Sequence, residues 1–263
     1  MIDTHCHLCD RRFDKDREEA LERARQAGVT RFVEIAYAPA IVPRAQALAA
    51  AHPGVHLCVG VHPSESARVP DEYAAALRDH ARHPRVVAIG ETGLDFFRDY
   101  APRADQERWF RAQLAIADQA GLPVVIHQRA ALADTLAILE EVRPAAGGVL
   151  HCFDDGVEAV ERAAALGFKL GLGGCLTYGH AALEEAVRGA PPELLMLETD
   201  APYLEPEPRS LRRNEPALLV RVRARLCELR GWSEQEADLV TTANARELFR
   251  FPTGDPPAGL SRT

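Results

Sequence analysis

Short runs of Val, Ile and Leu alternate along the chain with longer stretches in which apolar residues recur every three or four positions. The short runs predict strands over 1–5 (MIDTH), 31–36 (RFVEIA), 55–61 (VHLCVGV), 85–91 (RVVAIGE), 123–127 (PVVIH), 148–153 (GVLHCF), 168–174 (FKLGLGG) and 194–200 (LLMLETD). Most are apolar almost throughout, the mark of strands covered on both faces as in parallel sheets. The longer stretches predict helices over 14–27, 41–51, 71–81, 104–120, 131–142, 157–166 and 180–189, with Gly28, Gly121 and Gly167 as stop signals. Past the eighth strand, helices are predicted near 215–230, 234–242 and 243–249. Eight strands alternating with helices predict an α/β fold, a (β/α)8 TIM barrel with additional C-terminal helices. The alternative is an open doubly wound sheet. The Gly-rich phosphate loop expected after its first strand is missing.

At 263 residues the chain suits one such barrel, read here as residues 1–250, with 251–263 (FPTGDPPAGLSRT) as a flexible C-terminal tail. The 31 Lys and Arg against 39 Asp and Glu give a net charge of −8. That is not the global signature of a nucleic-acid binder, although a local basic rim can handle phosphate on an acidic protein. No signal peptide and no run of roughly 20 apolar residues is found, so the expectation is a cytoplasmic protein with no membrane contact. Six cysteines without framework spacing fit free thiols in a reducing compartment.

In a barrel enzyme the chemistry sits at the C-terminal ends of the strands. Here those ends carry His5 and His7 (strand one), His62 (after strand three), Glu91 (four), His127 (five), His151 (six), and Glu198 and Asp200 (eight). Any one of these could be hydrogen-bonded filler; six of eight strands ending alike is a pattern. Imidazoles with carboxylates suit zinc and other divalent first-row metals, and carboxylate oxygens also suit Mg²⁺ and Mn²⁺. Residues 5 and 7 face one side of a strand, so His-x-His can chelate one ion. Four His and two carboxylates exceed one tetrahedral shell and fit two ions about 3.5–4 Å apart, bridged by a carboxylate and a hydroxide. Cys6 and Cys9 lack the two further ligands of a structural zinc, and Cys6 points away from the histidines.

Several separate motifs carry a resemblance: DTHCHL (3–8), GVHP (60–63), IGETGLDFF (89–97), PVVIHQR (123–129), HCF (151–153), LETDAPYL (197–204), RNEP (213–216) and TTANARELF (241–249). In their order and spacing the chain resembles the TatD family of metal-dependent deoxyribonucleases, of the amidohydrolase-like superfamily, over roughly residues 1–250. The resemblance implies that His5, His7 and Asp200 hold one metal, that His127 and His151 hold a second, and that Glu91 bridges them. It also implies that His62 meets substrate phosphate and that Asp200 acts on the attacking water. The implied activity is metal-dependent hydrolysis of phosphodiester bonds in DNA by a two-metal-activated hydroxide. A 3′→5′ exonuclease on single-stranded DNA is expected, using two divalent ions (Mg, Mn or Zn), as a monomer or weak oligomer.

The rim departs from the family pattern. The run after GVHP is Ser64-Glu65-Ser66; Asp154-Asp155-Gly156 follows HCF; and 205–216 (EPEPRSLRRNEP) keeps arginines but lacks the usual His and Gly-Lys. Arg129, Arg209, Arg212 and Arg213 are candidate phosphate contacts, because guanidinium meets phosphate as a bidentate fork. Phe96, Phe97 and Tyr203 are candidate base-stacking residues. Asp95 is read as fixing the turn after Glu91, and Glu198 as orienting a ligand from outside the metal shell. Two other readings stand beside the nuclease. One is a hydrolase of an ester or amide, such as an aminoacyl-tRNA deacylase, and the other is a non-catalytic metal-bearing module. The first is weakened because the only lysines, Lys15 and Lys169, stand at the end of neither strand four nor strand five, where a carboxylated Lys would bridge metals.

Overall fold

A computed structural model describes residues 1–98, 100–209 and 213–252. Eight parallel strands follow in chain order: β1 (Ile2–Cys6), β2 (Arg31–Ala36), β3 (Val55–Val59), β4 (Val86–Asp95), β5 (Val124–Arg129), β6 (Gly148–Leu150), β7 (Phe168–Leu172) and β8 (Leu195–Leu197). Helices α1 (Arg17–Gln26), α2 (Val42–Ala51), α3 (Tyr73–Ala81), α4 (Arg103–Ala120), α5 (Leu132–Val142), α6 (Val157–Ala165) and α7 (Ala181–Gly189) connect them, and α8 (Leu219–Arg230) and α9 (Glu234–Phe249) follow β8. Just past the end of β8, Ala201 forms a parallel bridge to Cys6. Asp200 N–H donates to the His5 carbonyl (2.8 Å) and His7 N–H to the Ala201 carbonyl (2.7 Å). These bonds close the sheet into the TIM barrel that the strand–helix alternation predicts.

The apolar runs divide between two cores. Ile2, Val33, Ile35, Cys58, Ala88, Val125, Val149 and Met196 pack together inside the strands, and Ala245, Leu248 and Phe249 of α9 join them. The other faces of the strands bury against the helices. On α4, Gln106, Trp109, Phe110, Gln113, Leu114 and Ala117 recur every three or four residues, and all are buried. The two glutamines on that face take the place of apolar anchors. Gln113 accepts from Val61 N–H (2.8 Å) and donates to Val61 O (2.9 Å) and the Thr92 hydroxyl (2.7 Å). Two turns earlier, Gln106 accepts from Asp95 N–H (2.8 Å) and donates to Asp95 O (3.1 Å). One helix thus pins the loop after β3 and the end of β4, both of which carry site residues.

Three expectations are corrected. The helices expected at 234–242 and 243–249 are one, α9. The Thr241-Thr242 pair does not break it, because β-branched residues lower helix propensity only slightly. Thr241 returns its hydroxyl to Ala237 O (2.8 Å), and Asn244 ties the next turn to Pro192 O and Leu195 O (both 2.8 Å). Strands six and eight end earlier than expected, at Leu150 and Leu197, because Cys152 (φ 49°) and Asp200 (φ 54°) leave the extended region. Strand four runs longer, to Asp95, paired with β5 as far as Arg129. Gly93 (φ 129°) permits this close pairing, since a Cβ there would stand 2.0 Å from the His127 carbonyl oxygen. Of the tail expected over 251–263, residues 253–263 lie outside the described residues. Among the described residues no helix is long and apolar enough to cross a membrane.

Candidate metal centre

The C-terminal ends of the strands open on a cavity of about 380 Å³ whose lining includes His7, His62, Glu91, His127, His151 and Asp200. His5 lies beneath it, fully buried. Two groups of donors meet there. In the first, His7 Nε2 is 3.3 Å from His5 Nε2 and 3.1 Å from Asp200 Oδ1, and His5 Nε2 is 3.6 Å from the same oxygen. In the second, Glu91 Oε1 is 2.9 Å from His127 Nδ1 and 3.7 Å from both His151 Nε2 and His62 Nε2. Glu91 Oε2 turns the other way, 3.6 Å from His5 Nε2. The two oxygens of one carboxylate therefore face the two groups separately.

This donor set fits divalent metal. Imidazole nitrogens and carboxylate oxygens converge within ion-binding reach, on residues that are buried or nearly so. Two of the imidazoles also carry a carboxylate on the far nitrogen, the arrangement that orients a ligand histidine. Glu198 Oε1 lies 2.8 Å from His151 Nδ1, and Asp95 Oδ2 lies 3.3 Å from His127 Nε2. Asp95 does more than the sequence suggests. Its other oxygen accepts from Phe97 and Arg98 N–H (both 3.0 Å), so it shapes the turn and holds the histidine together. Cys6 and Cys9 take no part. Cys6 is buried with its thiol 3.6 Å from Val33 O, and Cys9 is buried in the core.

Charge follows this geometry. Burial alone would raise the Glu91 carboxyl, but the imidazoles of His62 and His5 and the hydrogen bond to His127 outweigh it and hold the group well below the usual carboxylate range. Asp200 is also lowered: burial opposes ionisation, and the His7 contact and the His151 charge favour it. Burial would lower His151, but Glu198 overrides it and raises the imidazole to about 10. His62 is the opposite case. Burial pulls it down to about 3, with only partial relief from Glu91. Glu34 is buried and raised to about 7, chiefly by desolvation, while accepting from Leu8 N–H (2.5 Å) and Cys9 N–H (3.1 Å) just past His7.

The candidate substrate contacts separate. His62 and Arg129 line the cavity; Arg209 and Arg213 do not. Arg213 reaches Asp16 (2.7 Å on both nitrogens) and the Arg12 carbonyl (2.6 Å), and lies over the Phe13 ring. Arg209 lies over Tyr178 and pairs with Glu207 (3.1 Å). Arg212 is outside the described residues. Arg129 stacks on Phe97 at 4.0 Å, and that ring is 61% exposed. Arg12 covers Tyr203 at 4.2 Å, and Arg103 covers Phe96 at 3.8 Å. Tyr37, Ser64, Arg98 and Tyr100 also line the mouth and were not singled out as site residues from the sequence. Tyr37 had a signal: it directly follows the last residue of β2, a strand end passed over because it is neither His nor carboxylate.

Known proteins resemble this chain along almost its full length. A family model described as TatD related DNase matches residues 2–250. The chain is 40% identical over 262 residues to a 3′-5′ ssDNA/RNA exonuclease TatD of Pantoea vagans, covering 95% of this chain and 100% of that one. It is 36% identical over 253 residues to an uncharacterized metal-dependent hydrolase of Bacillus subtilis, covering 95% and 99%. Among solved structures, the TatD homologue YJJV of Escherichia coli K12 superposes with a TM-score of 0.92 at 33% identity, covering 96% and 98% of the two chains. With matches of this identity and coverage, the protein belongs to the TatD related DNase family.

Proposed function

We propose that the protein is a metal-dependent phosphodiesterase that trims single-stranded DNA or RNA from the 3′ end. The observation that carries this reading is the division of the Glu91 oxygens between two donor groups. His5, His7 and Asp200 would hold one divalent ion, His127 and His151 a second, and Glu91 would bridge them. When bound, such a pair supplies a nucleophilic water and neutralises charge on the phosphoryl oxygens. The protein's own groups do the rest. Asp200 takes a proton from the attacking water. Glu198 and Asp95 keep the His151 and His127 rings oriented. His62 and Arg129, with Arg98 beside them, meet the phosphate, and Arg209 stands farther along the rim. The exposed rings of Phe97 and Tyr203, each under a guanidinium, suit unpaired bases with phosphates alongside. The relatives named as exonucleases on ssDNA and RNA support the substrate class.

An amidase with a carboxylated Lys has no support here. Lys169 Nζ is engaged by Glu193 O (2.8 Å) and Glu247 (2.9 Å), outside the cavity, and Lys15 is exposed. The deciding experiment is one gel: metal-stripped protein, 5′- and 3′-labelled single-stranded DNA and RNA, and added Mg²⁺, Mn²⁺ or Zn²⁺. The expected result is a metal-dependent ladder whose labels report 3′→5′ polarity and which vanishes in Glu91→Ala. Cleavage that persists in Glu91→Ala, or no cleavage with any ion, overturns the assignment.

A further inference from the structure

Five imidazoles converge on the cavity, and His62 groups with Glu91 and His127 closely enough to look like a metal ligand. The far side of each ring separates it from the others. A neutral imidazole has one N–H and one lone pair, and whatever binds the outer nitrogen decides which of the two faces inward. Behind His127 and His151 stand carboxylates, which only accept while ionised. With the inner nitrogen given to a metal, those carboxylates hold the proton on the outer one, the form that metal ligation requires.

Behind His62 stand donors. Its Nδ1 accepts the backbone N–H of Ser64 at 3.1 Å and lies 2.8 Å from the Ser64 hydroxyl. A backbone N–H can only donate, so Nδ1 holds the lone pair. The ring acts as the N-cap of the short 3-10 turn Pro63–Glu65. The proton is then on Nε2, which faces inward, 3.7 Å from Glu91 Oε1. The side chain is 16% exposed, against 0% for His5, so a ligand entering the mouth can reach it.

We infer that Ser64 locks His62 as the Nε2–H tautomer, making it a neutral hydrogen-bond donor to an anionic phosphoryl oxygen and not a third ligand of the second metal group. Ser64 is thereby a positioning residue, acting through the His62 ring. The phosphoryl identity of the partner rests on the proposed phosphodiesterase function; the tautomer does not. Burial keeps this imidazole from protonating, which agrees with the geometry and is not needed for it. A neutral donor has a chemical advantage here: it can hydrogen-bond an oxyanion without bringing a further fixed charge beside the ions.

The test has parts that fail separately. Long-range ¹⁵N–¹H NMR of the histidine rings, in metal-free and Mg²⁺-loaded protein, should show His62 with a protonated Nε2 and an unprotonated, hydrogen-bonded Nδ1 in both states. A proton on Nδ1, or an Nε2 that loses its proton when metal binds, overturns the inference. Zn²⁺ stoichiometry and affinity should stay within about twofold of the parent in both His62→Ala and His62→Gln, whereas His127→Ala loses about 10-fold or more, the scale of a metal-site defect. Equal losses in the His62 and His127 variants would make His62 a ligand after all. Inorganic phosphate added to the Mg²⁺ form should move the His62 Nε2–H resonance. No movement at saturating phosphate removes the donor role. In Ser64→Ala the hydroxyl is gone but the N–H remains; the Nδ1 resonance should shift and phosphate should bind about fivefold more weakly, the scale of one hydrogen bond. An unchanged Nδ1 resonance in that variant removes Ser64's hydroxyl from the lock. Failure to cleave DNA, with the tautomer and phosphate response intact, would sink the nuclease reading and leave this one standing.

Discussion

Asp3 Oδ2 accepts the Thr199 hydroxyl at 2.6 Å, across 196 positions of sequence, and Asp3 Oδ1 accepts Thr199 N–H at 2.9 Å. Both residues are buried, and neither lines the cavity. The pair nonetheless sits directly behind the metal groups, because His5 lies two residues after Asp3 and Asp200 follows Thr199. The same hydroxyl accepts Ala201 N–H (3.1 Å), and Asn214 donates to Thr199 O (2.8 Å). Asp200 is thus presented with φ at 54°, a conformation its neighbours must enforce.

Thr199→Val tests that enforcement with nearly the same shape. It leaves Asp3 Oδ2 buried without its donor, at a cost of about 1–3 kcal/mol. Thermal unfolding should shift down by about 2–10 °C for a chain of this size. Metal affinity should fall about 10- to 100-fold, as for loss of a group that orients a ligand. Thr199→Ser, which keeps the hydroxyl, should recover most of the affinity. Unchanged metal affinity in the Val variant, by titration calorimetry, would reduce the contact to packing.

The metal centre itself predicts a ligand-linked stability. An ion at about 100 times its Kd adds about 2.7 kcal/mol per site, provided it does not bind the unfolded chain. With both proposed sites filled, Tm should rise by about 10–20 °C over metal-stripped protein. Glu91→Ala removes the shared ligand and should lose most of that increment while keeping the circular dichroism of the barrel. A Tm indifferent to Mg²⁺, Mn²⁺ and Zn²⁺ alike would argue against any bound ion.

The parts of this site that a sequence can display are those tied to the backbone period. Strands one to three, five, seven and the helices before β8 stand within a few residues of their expected places, because apolar runs and Gly stops are local signals. His5, His127 and Glu91 were legible as candidates because a barrel sends strand ends to one mouth. What escaped was set by distant partners. The expected ends of strands six and eight overran at Cys152 and Asp200, which have positive φ and bond distant residues: Cys152 N–H donates to Glu198 Oε1 (2.6 Å) and Asp200 N–H to the His5 carbonyl (2.8 Å). Arg213 reads as a phosphate clamp from its place after Asp200, yet Asp16, 197 residues away, occupies its guanidinium. The double duty of Asp95 depends on β5 lying alongside β4, which no short window reveals.

That ion pair makes a pH prediction away from the metals. Hydrogen bonds from Arg213, only partly opposed by burial, lower Asp16 from its ordinary 3.8 to about 2, and Arg23 adds to this. A carboxyl with a depressed folded value stabilises fully above its unfolded value and loses that contribution as pH falls through the folded value. The window is therefore about pH 4 down to pH 2. Asp16 is 34% exposed on its side chain, so screening keeps the contribution to about 1 kcal/mol or less. Urea unfolding should show Asp16→Asn less stable than the parent at pH 6, with the difference closing toward pH 2. A difference that grows on acidification would refute the linkage.

The same contrast decides which arginine meets the substrate. Arg129 lines the cavity and rests on an exposed ring, while Arg213 is held by a carboxylate below the rim. Arg129→Ala should raise KM for single-stranded DNA about 5- to 10-fold and lower the slope of log affinity against log salt by about 1, the loss of roughly one phosphate contact. Phe97→Ala removes a stacking platform, worth about 1–3 kcal/mol per base, and should weaken binding at every salt concentration with little change in slope. Arg213→Ala should leave both KM and slope alone and instead lower Tm, because Asp16 and Glu215 lose a partner. The three variants form a grid of affinity, salt slope and stability. If Arg213→Ala shifts the salt slope while Arg129→Ala does not, the strand runs over the opposite side of the rim, and the path assigned to it along Phe97 is wrong.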